Sequence, residues 1–227
     1  MGGRLGSRLT GLGVAALAGA GAWLAFGGVS GGDGETLLTP IHREVASATT
    51  VSQGDRFYAD DDDGDPNTKQ SCTIGYIFPG TAVAEVSAHC VVAGDGSVVY
   101  SDDWDEIGVV DSTEDARDVG YIRFYPEVVL GGNPLSGDER VDGAVNEGDE
   151  VCAYGATSGT TVCSTVFYTI DDMGEFWFSD GSWGQQGDSG GPVWSNEGYV
   201  GTFSGSADYT GPGVGEGTAN YGFQSWR

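Results

Sequence analysis

Lysine occurs once in these 227 residues, at position 69, and all bases together number 9 against 34 acids. A net charge of −25 excludes nucleic acid and anionic lipid as partners, because both are repelled by so acidic a surface. Histidine is nearly as scarce, with His42 and His89 alone, and the four cysteines contain no Cys-x-x-Cys pair. That spacing excludes the common zinc-site patterns, so neither a metal nor a cofactor is expected. No segment sustains a helical period over three turns, which excludes a helical bundle. Acids alone do not make a calcium loop either. In "ADDDDGDPN", residues 59–67, placing Gly64 at the sixth loop position makes Ala59 the first ligand and Gln70 the twelfth, so the stretch reads as a solvated acidic turn in preference to the alternative, an irregular cation site. The excess acid itself has two readings: dispersion of an extracellular protein, or adaptation to salt that screens the repulsion.

Glycine, at 41 residues, is abundant, yet branched and aromatic residues accompany it, as in an all-β protein with many turns. Arg4 and Arg8 precede an uncharged Ala/Gly/Leu-rich run from Leu9 to Phe26, and residues 1–26 read as a secretory signal peptide. The competing reading is an uncleaved anchor, and membrane contact is expected only in that case. Loss of residues 1–22 would remove two arginines and take the net charge to −27. Residues 27–50 lack a period and read as a linker or short pro-segment. From residue 51 onward, runs such as "CTIGYIF", "VGYIRFY", "TVCSTVFYTI" and "YVGTFSG" are strand-like and bounded by turn residues. The polar stretch 130–143 is the candidate crossing between two β-halves, about 51–130 and about 143–227. In an exported chain the even number of cysteines reads as disulfides. Of the three possible pairings, the local one is preferred: Cys72 with Cys90 and Cys152 with Cys163.

"GQQGDSGGPVW", residues 184–194, sets Ser189 among glycines. It reads either as a polar turn or as a loop presenting a nucleophile, and the second reading needs a base and an orienting acid elsewhere. His42 lies in the linker, a solvated position, whereas His89 in "VSAHC" ends an apolar run. Asp118 in "ARDVGYIRFY" opens a strand at the edge of a core, while Asp111 and Asp115 lie in the polar segment "DSTEDAR". The order is His89, Asp118, Ser189.

That order, with "SAHC" and "GDSGGP", resembles the chymotrypsin-like serine proteases, and is most similar to the secreted bacterial streptogrisin and alpha-lytic branch, over roughly residues 52–225. The resemblance implies two six-stranded antiparallel β-barrels with His89 and Asp118 from the first, Ser189 from the second, and the site between them. It implies an oxyanion hole at the backbone N–H groups of Gly187 and Ser189. Substrate-binding residues would be Gln186, Ser204, Gly205 and Ser206, with the 204–206 strand pairing with the substrate backbone. The expected activity is that of a secreted, monomeric serine endopeptidase acting on protein or peptide substrates. A catalytically silent homologue that binds a protein partner is the alternative. The chain departs from the pattern at Ala153, where the alpha-lytic type has an arginine paired with the aspartate before the nucleophile, which leaves Asp188 without a legible partner. No acid falls at the base of the specificity pocket, so a medium or large apolar residue is expected before the cleaved bond.

Overall fold

The computed structural model describes residues 48–61, 68–170, 172–180, 183–211 and 215–225. The signal expected at 1–26, most of the linker, His42 and the acidic turn at 62–67 lie outside the described residues. No described helix is long and apolar enough to cross a membrane.

The first half carries β1 (Thr50–Ser52), β2 (Arg56–Asp60), β3 (Lys69–Thr73), β4 (Tyr76–Ile77), β5 (Val83–Ser87), β6 (Val98–Ser101), β7 (Glu106–Glu114), β8 (Val119–Phe124) and β9 (Val129–Gly132). Seven of these form one antiparallel sheet in the order β3-β2-β6-β7-β8-β5-β4. Its two edges, β3 and β4, are separated in sequence only by Ile74 and Gly75. They are two halves of one bent stretch, so the sheet curls round upon itself and amounts to six strands with one counted twice. Strands β1 and β9 pair in parallel outside it.

The second half carries β10 (Glu150–Tyr154), β11 (Thr161–Ile170), β12 (Glu175–Asp180), β13 (Pro192–Ser195), β14 (Gly198–Gly211) and β15 (Gly215–Gln224), closed into a barrel in the order β10-β11-β12-β15-β14-β13. Cys152 and Cys163 stand directly opposite on β10 and β11 and are joined, as are Cys72 and Cys90 in the first half.

Strand alternation sorts side chains between the two cores and the seam. On β5, Ala84 and Val86 enter the first core, with Phe57, Ile74, Val99 and Ile122. Glu85 and Ser87 therefore face the other way, and that side is covered by the second barrel: Tyr199 Oη donates to Glu85 at 2.9 Å, and Ser87 Oγ donates to the Phe203 carbonyl at 3.1 Å. Likewise Val119 and Tyr121 of β8 pack with Phe223 of β15. The second core is built on Val151, Val166, Phe176, Phe178, Val193 and Phe203. Both strands are thus covered on two faces, and of their residues Arg123 alone is exposed.

Candidate active site

Register brings His89 and Asp118 together. Strands β5 and β8 run antiparallel with Ser87 opposite Val119, so the residues just beyond, Ala88 and Asp118, are also opposed, and Ala88 N–H donates to the Asp118 carbonyl at 3.0 Å. A 3-10 turn, Ala88–Cys90, follows β5, and the Cys72–Cys90 disulfide ties it to β3. A second, Asp115–Arg117, delivers Asp118 in the left-handed region at φ 47°, ψ 40°, which aspartate tolerates better than most residues. The carboxylate then meets the imidazole: His89 Nδ1 lies 2.8 Å from Asp118 Oδ2 and 3.0 Å from Oδ1. His89 N–H donates to Oδ1 at 2.8 Å, and Ser204 Oγ donates to Oδ2. Burial alone would raise the Asp118 pKa, but the His89 ring, Ser204 and the His89 amide together outweigh it and hold the carboxyl below its usual value. The side chain of His89 is 39% exposed and that of Asp118 16%, so the pair has one solvent-facing partner and one shielded partner.

Ser189 comes from the loop between β12 and β13. Antiparallel pairing of β13 with β14 sets Pro192 opposite Thr202, and the loop continues that ladder, with Gly190 N–H donating to the Phe203 carbonyl at 2.7 Å. Ser189 therefore lies beside Ser204, and its hydroxyl donates to the Ser204 carbonyl at 3.0 Å, not to His89. The backbone N–H groups of Gly187 and Ser189 have no acceptor among the described residues. Gly187 has φ +99°, and a β-carbon there would stand 2.4 Å from Thr157 Oγ1, so both conformation and space require glycine.

Of the four expected substrate-binding residues, Gln186 is exposed and Gly205 and Ser206 are half-buried. Ser204 is 5% exposed, with its hydroxyl committed to Asp118. Strand β13 covers β14 only as far as Thr202, which leaves the Gly205–Ser206 edge without a strand partner on the side of Ser189 among the described residues.

Three features escaped the sequence. Asp188, fully buried, takes no base among the described residues: its Oδ1 accepts from the Thr157 and Ser158 N–H groups at 2.8 and 2.9 Å, and its Oδ2 from Gln185 N–H at 2.9 Å. The "GATSG" turn after Ala153 thus does for the carboxylate what a guanidinium would. Thr73 stitches the loop to the first half: its N–H donates to the Ser189 carbonyl at 2.8 Å and its hydroxyl to the Gly187 carbonyl at 2.8 Å. Asn220, buried, accepts on Oδ1 from Ser206 Oγ at 2.6 Å and from Trp183 N–H at 3.3 Å. Among the described residues, Cys72, His89 and Cys90 converge within 4.8 Å as metal-ligand types, but both sulfurs are taken up in the disulfide.

No family model matches the chain. It is 30% identical over 141 residues to the uncharacterized protein Rv1815 of Mycobacterium tuberculosis strain H37Rv, an alignment covering 54% of the chain and 60% of that relative. The chain thus spans less than two thirds of the length of the curated relatives it matches. Its structure is similar to Nocardiopsis protease (TM-score 0.53, 19% identity, 77% of this chain and 93% of that one) and to Thermobifida fusca protease A (0.53, 22%, 78% and 91%). It is similar also to the alpha-lytic protease homolog N4 (0.53, 22%, 78% and 93%). At these identities the likeness concerns architecture, and the described chain has the fold of the chymotrypsin-like bacterial serine proteases.

Proposed function

We propose that the protein is a serine endopeptidase that hydrolyses peptide bonds through Ser189, His89 and Asp118. The observation that carries this reading is the conjunction of an oriented imidazole, His89 on Asp118 at 2.8 Å, with the Gly187 and Ser189 N–H groups, which lack an acceptor among the described residues, beside a serine hydroxyl. Asp118 fixes the tautomer with the proton on Nδ1, which leaves Nε2 basic. On substrate binding the Ser189 hydroxyl leaves the Ser204 carbonyl and turns to His89, a readjustment common in unliganded sites.

Oγ then bonds to the substrate carbonyl carbon while its proton passes to Nε2, and the carbonyl π pair moves onto oxygen. That oxyanion is held by the Gly187 and Ser189 N–H groups; one such donor is worth about 100- to 1,000-fold in turnover. Collapse breaks the C–N bond, His89 returns the proton to the departing amine, and water hydrolyses the acyl-enzyme by the reverse sequence. The two disulfides suit an oxidising compartment, in keeping with secretion.

A fluorophosphonate probe tests the reading. It should label the wild-type protein at Ser189, and Ser189→Ala and His89→Ala should each abolish labelling without unfolding. Folded, fully processed wild-type protein that stays unlabelled would overturn the reading.

A further inference from the structure

Resting on that reading, we propose that Phe203 sets the substrate class by closing the floor of the acyl-side pocket, so that the cleaved bond follows glycine or alanine. The pocket's position follows from geometry already described. A substrate whose carbonyl oxygen lies against the Gly187 and Ser189 N–H groups, and whose backbone adds to the open Gly205–Ser206 edge of β14, must send its side chain between Gly184 and Ser206. These two residues do face each other: a β-carbon built on Gly184 would lie 3.3 Å from Ser206 Oγ.

The space behind them is filled. The same β-carbon would lie 2.3 Å from Cζ and 2.7 Å from Cε1 of Phe203, so the tip of that ring already touches the Gly184 backbone. Phe203 is 1% exposed and held on two sides, by Phe178 and by the Trp183 indole, which meets it edge-on at 5.3 Å between centroids. Trp183 is fixed in turn, donating from Nε1 to Thr160 Oγ1 at 3.2 Å and from its N–H to Asn220. Asn220 also draws Ser206 inward through the 2.6 Å hydrogen bond. A medium or large apolar side chain, expected from the absence of an acid, would have to displace this ring to enter. None of these lining side chains is charged, so a charged side chain finds no counter-ion there.

The test is a set of tetrapeptide nitroanilides differing only in the residue before the scissile bond: Gly, Ala, Val, Leu or Phe. For the wild-type enzyme, kcat/KM for Ala should exceed that for Leu or Phe by about 10- to 100-fold, the scale set by excess methylenes in a closed pocket. Phe203→Leu should raise the Leu-to-Ala ratio by about tenfold or more, and Trp183→Ala, which frees the ring to retreat, should move it the same way. The second variant serves if the first melts far below wild type. Wild-type preference for Leu or Phe, or a folded Phe203→Leu enzyme with an unmoved ratio, would overturn the inference while leaving the protease reading intact. The fluorophosphonate labels Ser189 without presenting a peptide side chain to this pocket. Absence of both labelling and hydrolysis would therefore remove the reading beneath the inference, and the inference with it.

Discussion

Replacing Asp188 with asparagine is an isosteric change whose consequences can be worked out bond by bond. The carboxylate accepts three backbone hydrogen bonds, from Thr157, Ser158 and Gln185, at full burial. Asparagine can turn its oxygen to Thr157 and Ser158, which leaves its amide group against the Gln185 N–H, donor facing donor. Two bonds fall from charge-assisted to neutral strength, at about 1 kcal/mol each, and the third is lost at about 1.5–3 kcal/mol. The sum is roughly 4 kcal/mol, which for a chain of this size lowers the melting temperature by roughly 8–16 °C. Because Gln185 and Asp188 bracket the Gly187 peptide, turnover should fall with it, by up to about 100-fold as when an oxyanion donor is lost, with little change in KM. Calorimetry and nitroanilide kinetics, run well below the lowered melting point, read the two effects separately. A variant that melts within about 2 °C of wild type and turns over normally would refute the reasoning: water would then satisfy the amides, and the glycines alone would hold the loop.

Two further perturbations probe other carboxylates. Burial raises the Glu85 pKa above its usual 4.5, against the hydrogen bonds from Ser225 and Tyr199 that lower it. The folded protein thus binds this proton more tightly than the unfolded chain, and the stability it contributes declines as pH rises from about 4.5 through the raised folded value. Glu85→Gln should therefore gain on wild type between pH 4.5 and 8 in urea midpoint, each unit of displacement being worth about 1.4 kcal/mol; parallel pH profiles for the two proteins would contradict this. The net charge of −25 predicts a melting temperature that climbs with sodium chloride from 0.1 to 1 M, as the screening length shrinks from about 10 Å to about 3 Å. A melting point indifferent to chloride would mean the carboxylates do not strain the fold.

The fold was legible because many strands announce themselves locally: "VGYIRFY" contains β8 almost from end to end, whereas "CTIGYIF" reads as one run but is split between β3 and β4 at Ile74 and Gly75. The parallel β1–β9 pair was not, since three residues at Thr50 and four at Val129 have no pattern of their own. At the site, residue types in order were enough to nominate His89, Asp118 and Ser189. What sequence could not give was which backbone groups answer a buried charge. Glu85 passes for a surface residue in "TAVAEVS", yet its partners Tyr199 and Ser225 lie 114 and 140 positions away. The partner of Asp188 is a turn's amides, which no side-chain motif encodes. Phe203, an ordinary strand aromatic in "VGTFSGS", acquires its significance only from its contact with Gly184 across the loop.

One carbonyl ties the two halves into a single working part. The Phe203 oxygen accepts from Gly190 N–H, in the nucleophile loop, and from Ser87 Oγ, two residues before the imidazole. With Thr73 fastening the other side of that loop to the first sheet, neither half can drift without pulling on both the serine and the histidine. On the serine endopeptidase reading, a disturbance at this seam would reach the nucleophile and the base together, without either core having to melt.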